Sequence, residues 1–195
     1  MKVLCILANP KPIEESYSKR AGMEFIKEYK IQNPTHEIEI MDLYEKGQEH
    51  LSYETLSNAI NKRSGKMCEE AIYFSEFDKY IVCAPMWNLT TPSILKSYID
   101  HIVAKGVTFR YSSNGIPKGL LKDKTAIYIG SRGGAYPFPL SLIAWDERYV
   151  RFIFRFMGIK NFKKIIFENT DKDPVKAKEK FPEFLNKVKS MSKGF

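Results

Sequence analysis

The sequence predicts an α/β domain: a five-stranded parallel sheet in the order 2-1-3-4-5 with helices on both faces. Three observations predict it. Strand-like apolar stretches alternate along the chain with stretches of helical periodicity, the pattern of β-α-β crossovers. The first, third and fourth strand candidates are continuous apolar runs, as expected for strands covered on both faces. The second strand candidate alternates apolar and polar residues, and the fifth is interrupted by Lys163 and Lys164, as suits the two edges of a sheet. Placing those two at the edges gives the order stated.

The strands are expected at residues 2–8, 37–41, 80–84, 125–129 and about 162–167. The helix over 18–29 carries Ala21, Phe25, Ile26 and Tyr29 on one face, the spacing of an amphipathic helix. A second helix is expected over 66–77. The helix over 92–105 has the clearest signals: Thr91 as N-cap, Pro92 in the first turn, Gly106 closing it, and a stripe of Ile94, Leu95, Tyr98, Ile99, Ile102 and Val103. Helices over 145–157 and 174–188 complete the set. The stretch 43–65 is the least regular, with a short helix near 53–61. No repeat or low-complexity segment interrupts the pattern, so residues 1–195 are expected to form one domain.

Length and composition bound the function. A chain of 195 residues with 44% hydrophobic residues can bury a full core and needs no disulfide or metal staple. No apolar run reaches the ~18 residues of a membrane span. The opening run to Ala8 is too short for a signal peptide, and Asn9-Pro10-Lys11-Pro12 follows instead of a small-residue cleavage site. It reads as a buried strand of a cytoplasmic protein. Cys5, Cys68 and Cys83 form no C-x-x-C pair, and Cys5 and Cys83 lie in apolar runs. Neither a disulfide framework nor a structural zinc site is expected. The net charge of +8, from 31 basic and 23 acidic residues, favours anionic partners in general. The basic residues are interspersed with acids, so no nucleic-acid partner is expected.

In open α/β sheets a ligand binds beyond the carboxyl ends of the strands, where the strand order reverses. For the order 2-1-3-4-5 this lies between the first and third strands. After the first strand, residues 9–18 contain no P-loop and no G-x-G-x-x-G. They form a hydroxyl-rich approach to a helix N-terminus, where Ser16, Ser18 and free N–H groups can hold a phosphate. Ser18 could equally be a plain N-cap. After the third strand comes Ala84-Pro85-Met86-Trp87-Asn88-Leu89. Met86 and Trp87 there suit a flat apolar ligand, or pack beneath a neighbouring loop. The Asn88 amide can both donate and accept to a heterocycle edge. After the fourth strand, Gly133 and Gly134 in Ser131-Arg132-Gly133-Gly134 allow close backbone approach, or make a plain turn.

Ala84-Pro85-Met86-Trp87-Asn88, then Gly106-Val107-Thr108-Phe109-Arg110-Tyr111 with Asn114-Gly115, then Gly119-Leu120-Leu121-Lys122, then Ser131-Arg132-Gly133-Gly134, taken in order, resemble the FMN-dependent NADH:quinone oxidoreductase and azoreductase family. The resemblance runs from Lys2 to about Glu168. It implies a flavodoxin-like fold, a homodimer and FMN as cofactor. It also implies that Asn9, Ser16, Tyr17 and Ser18 hold the phosphate and ribityl end, that Met86, Trp87, Asn88 and Leu89 lie along the isoalloxazine, and that Ser131, Arg132, Gly133 and Gly134 meet its pyrimidine edge. Asn9 stands where the family usually has Ser, and Trp87 where it often has Tyr. Tyr136 lies near a position where some relatives have His. Glu14 and Glu15 place carboxylates near the expected phosphate, and the 43–65 stretch is shorter than in many relatives.

The activity so implied is a ping-pong transfer of electrons from NADH or NADPH, through the flavin, to a quinone or aromatic azo compound. The flavin carries the chemistry, so no protein acid or base and no metal is expected. Trp87 and Tyr136 are the expected walls of the substrate pocket. His101, Arg110 and Tyr128 are expected to be packing or interface residues. The rival expectation is a flavodoxin-type electron carrier without its own substrate site, which a charge of +8 fits poorly because such carriers are usually acidic. A nucleotide- or nucleic-acid-binding regulator on the same scaffold is a third, since fold does not fix function.

Overall fold

A computed structural model of the chain describes residues 1–62 and 64–195. Five parallel strands form the main sheet: β1 (Lys2–Leu7), β2 (Glu37–Asp42), β3 (Lys79–Pro85), β6 (Thr125–Ser131) and β7 (Asn161–Phe167). A separate antiparallel pair, β4 (Phe109–Tyr111) and β5 (Pro117–Gly119), makes a small hairpin. The order in the sheet is β2-β1-β3-β6-β7, so the order 2-1-3-4-5 expected for the five sheet strands holds. The strands with polar interruptions are at the edges, and the three continuous apolar runs are in the middle. All residues of β1 after Lys2 and all of β3 after Lys79 are buried.

The helices are α1 (Tyr17–Gln32), α2 (Tyr53–Ser57), α3 (Lys66–Ser75), α4 (Ser93–Ile102), α5 (Asp146–Met157) and α6 (Pro174–Ser192). Side chains alternate along each central strand and sort into two clusters. Val3, Cys5, Leu7, Ile81, Cys83, Ile127 and Ile129 pack with Phe25 and Tyr29 of α1 and with Phe181, Phe184 and Val188 of α6. Leu4, Ile6, Tyr80, Val82, Ala126 and Tyr128 pack with Phe74 of α3, Leu95 and Tyr98 of α4, and Val150 and Phe154 of α5. Packing is close where α1 crosses the sheet: a Cβ added at Gly22 would lie 2.3 Å from Cys83 Sγ.

Several boundaries differ from expectation for local reasons. The N-cap of α1 is Ser16, not Ser18; its hydroxyl accepts from the Lys19 N–H. α4 starts at Ser93 after Pro92, and Thr91 makes no cap. It also ends at Ile102, ahead of Gly106. Thr108 closes it: its hydroxyl donates to the Ile102 carbonyl at 2.9 Å and accepts from the Ala104 N–H at 3.0 Å. Gly106 sits in the following turn with φ +90°. α6 extends to Ser192, beyond the expected residue 188. The irregular stretch 43–65 does contain the short α2, and it includes Arg63, which lies outside the described residues.

Candidate cofactor site

The carboxyl ends of β1, β3 and β6 are neighbours, and backbone bonds tie the segments leaving them. The Ala8 N–H donates to the Cys83 carbonyl at 2.9 Å and the Met86 N–H to the Ser131 carbonyl at 2.8 Å. The three segments expected to carry the chemistry therefore converge on one end of the sheet.

The first segment ends in a small polar cluster. The Asn9 amide donates to Ser16 Oγ at 2.9 Å, and Ser16 and Ser18 hydroxyls lie 3.3 Å apart. The Lys11 N–H donates to Asn9 Oδ1. Lys19, buried, donates to the Lys11 carbonyl at 3.0 Å and pairs with Asp42 at 2.6 Å. This ties the loop to the end of β2. Asn9, Ser16 and Ser18 are 4%, 1% and 0% exposed. The Tyr17 and Ser18 N–H groups donate to no protein acceptor among the described residues, which leaves two free donors at the positive end of a 16-residue helix. The ring of Tyr17 faces elsewhere, 5.1 Å from the ring of Phe167 and 4.9 Å from that of Phe181. Glu14 and Glu15 stand exposed in a 3-10 turn, Ile13–Glu15.

The second segment is a tight turn. Trp87 and Thr90 exchange both backbone hydrogen bonds at 3.0 Å, and Asn88 and Leu89 between them have φ of 49° and 68°. Two successive non-glycine residues in the left-handed region are costly, and Asn is among the residues that bear it best. The turn is held from outside by the Trp145 N–H, which donates to the Leu89 carbonyl at 2.7 Å. Met86 is nearly buried, while Trp87 and Leu89 stand out at 39% and 38% exposure. A cleft of about 480 Å³ opens beside them, lined by Trp87, Asn88, Thr91, Pro92, Lys96 and Tyr149 among others. Tyr136 does not line it. Wider grooves of about 600 and 720 Å³ lie along β2 and at the amino ends of β6 and β7. Neither is at the convergence of the three segments, and volume alone does not make a site.

The third segment is built on a buried ion cluster. Arg132 reaches Asp146 with Nε at 3.1 Å and Nη2 at 2.7 Å, and Glu168 with Nη1 at 3.1 Å. Burial pushes the guanidinium pKa down, but the hydrogen bonds and charges of Asp146 and Glu168 outweigh it and hold it above its ordinary value. The Arg132 side chain is thus committed to protein partners, and its guanidinium lies 5.6 Å from the centre of the Tyr136 ring. Beneath it Tyr128 is fully buried, its phenol pushed well above the ordinary range by burial first and then by the Asp146 charge. Asp146 and Glu168 were not singled out in the sequence. The available signal was an acid directly after the apolar end of the fifth strand, and another opening α5. His101, expected to be a packing residue, is buried against Gln48 and Glu70.

This arrangement defines a class first: an α/β flavodoxin-like protein with hydrogen-bonding loops gathered at its strand-order switch point. A family model described as a flavodoxin-like fold matches residues 1–191. An FMN-dependent NADH:quinone oxidoreductase 2 of Clostridium perfringens strain 13 is 38% identical over 202 residues, covering 100% of this chain and 99% of its own. One from Clostridium acetobutylicum is 42% identical over 175 residues, covering 87% of each chain. The crystal structure of an azoreductase from Bacillus anthracis superposes with a TM-score of 0.90 at 27% identity, with 100% of both chains covered. The chain belongs to the flavodoxin-like family of FMN-dependent NADH:quinone oxidoreductases.

Proposed function

We propose that the protein is an oxidoreductase that binds FMN and passes electrons from NADH or NADPH to quinones or aromatic azo compounds by a ping-pong mechanism, acting as a homodimer in the cytoplasm. The observation that carries this reading is the convergence of three segments on the ends of β1, β3 and β6, the first with two N–H groups that find no protein acceptor among the described residues, in a chain similar over its whole length to enzymes of that name. We also read the two core clusters as one on each face of the sheet, with helices on both. Such a sandwich leaves ligands only the loop ends.

The residues fit the cofactor by their chemistry. A phosphate suits the Tyr17 and Ser18 N–H groups, which have no protein acceptor among the described residues, and the Asn9, Ser16 and Ser18 side chains, which are buried and would have to be uncovered to meet it. Met86, Trp87 and Leu89 offer apolar surface to a flat ring, and Asn88 offers a donor and an acceptor to its edge. Ser131, Gly133 and Gly134 offer backbone to the pyrimidine side, while Arg132 acts through the loop it holds. FMN, when bound, supplies the two-electron chemistry. The protein's own part is to position, desolvate and limit access. Trp87, exposed beside the cleft, is our candidate wall for the substrate, together with Tyr136. The three cysteines are free and buried, in keeping with a reducing compartment.

If the protein covers one face of a bound flavin, donor and acceptor use the same pocket in turn, since each needs a reacting atom within about 3–3.5 Å of the same centre. Initial-rate plots against NADH at several fixed quinone concentrations are expected to be parallel. Trp87→Ala is expected to change the quinone KM more than the FMN affinity. Intersecting lines together with a detectable ternary complex would rule out the single-pocket mechanism while leaving FMN binding intact.

A further inference from the structure

Resting on that reading of the site, we propose that Glu168 is a positioning residue: its carboxylate clamps residues 132–136 so that the Gly133 and Gly134 N–H groups face the carbonyl-bearing pyrimidine edge of the cofactor's ring before the cofactor arrives.

The geometry of the loop carries this. The Arg132 carbonyl accepts from the Thr170 N–H at 3.1 Å, and the Gly133 carbonyl accepts from the N–H groups of Asp171 and Lys172, both at 3.1 Å. In a trans peptide the N–H points opposite to the C=O of the same unit. With both carbonyls turned to the segment after β7, the Gly133 and Gly134 N–H groups point away from it. They donate to no protein acceptor among the described residues. Consecutive outward N–H groups of this kind make a concavity for an anionic oxygen. A Cβ on Gly133 would lie 2.5 Å from Asp171 Oδ2, so a larger residue here would have to push that exposed carboxylate aside.

Glu168 holds both ends of this segment with a single oxygen. Its Oε1 accepts from Arg132 Nη1 at 3.1 Å and from the Tyr136 N–H at 3.4 Å. Asp146, fully buried, fixes the other edge of the same guanidinium and ties it to the start of α5. Glu168 is the member that can be varied without emptying the core, since 35% of its side chain is exposed. An amide oxygen at this position can accept the same two hydrogen bonds, whereas a methyl group cannot.

The test compares Glu168→Ala and Glu168→Gln with the unaltered protein. Hydrogen exchange of residues 131–136 is measured on apoprotein, and dissociation constants are measured for FMN and for riboflavin, which lacks the phosphate. Loss of hydrogen bonds to a charged group predicts that Glu168→Ala weakens FMN about tenfold. Riboflavin is expected to weaken by the same factor, because the ring edge and not the phosphate loop is disturbed. Exchange in 131–136 is expected to be faster in Glu168→Ala, and Glu168→Gln to return all three readouts to within about threefold of the unaltered protein. Glu168→Ala binding FMN as tightly as the unaltered protein would overturn the proposal, as would a loss for FMN that riboflavin does not share. Glu168→Gln failing as badly as Glu168→Ala would overturn it too. The apoprotein exchange needs no cofactor, so a protein that binds no FMN at all refutes the reading of the site and still leaves the clamp itself measured.

Discussion

A hydroxyl in the first turn of a helix can serve the helix's own N–H groups or an anion brought from outside. In α1 Ser16 takes the first task, capping Lys19. This leaves Ser18, whose hydroxyl lies 3.3 Å from Ser16 Oγ and has no other protein partner among the described residues, for the second. Ser18→Ala is therefore expected to raise the FMN dissociation constant about tenfold, and Asn88→Ala similarly, since each lost hydrogen bond to a charged or heterocyclic group is worth roughly 1–3 kcal/mol. Fluorescence titration of FMN checks both, and unchanged affinity in the two variants would remove these residues from the site. Residue types at strand ends were legible in the sequence because hydroxyls, glycines and exposed aromatics are poor choices there without a ligand. Side-chain direction was not. Tyr17 and Arg132 sit in the expected segments, yet the ring of one packs on Phe167 and Phe181 and the guanidinium of the other is held by Asp146 and Glu168. Both are consequences of tertiary neighbours that no local spacing encodes.

At the level of elements, the close contact between α1 and the sheet has a direct consequence. Gly22→Ala puts a Cβ against Cys83 Sγ, and Cys83 is fully buried with no room to retreat. Overpacking of this kind costs about 1–3 kcal/mol. Urea unfolding of Gly22→Ala is expected to show that loss, and the double variant Gly22→Ala/Cys83→Ala to recover most of it. An unchanged midpoint in the single variant would mean that α1 shifts freely, against the packing described. Every strand of the sheet was legible from apolar runs and their interruptions, because burial on two faces and burial at an edge leave different compositions. Helix ends were less so. Pro92 and Gly106 are strong local signals, yet α4 starts after Pro92 and stops before Gly106, where the Thr108 hydroxyl donates from a loop to its last carbonyl, that of Ile102.

On the scale of the whole molecule, residues 138–152 carry several exposed apolar side chains. Phe138 is 80% exposed and Phe152 67%, with Leu140, Leu142, Ile143 and Trp145 also open to solvent. Exposed apolar side chains of this size are what an interface between two copies would cover, and they are the structural ground for the proposed homodimer. Light scattering of the FMN-loaded protein at micromolar concentration is expected to give twice the 22.6 kDa chain mass; a single-chain mass would contradict the homodimer. The central claim, that the convergent loops hold a flavin which NADH reduces and a quinone reoxidises, is tested most directly by one absorbance experiment. Protein incubated with FMN and freed of excess cofactor should show the flavin bands, lose them on anaerobic addition of NADH, and regain them when a quinone is added. A protein that retains no flavin, or flavin bands that NADH leaves unchanged, would contradict it.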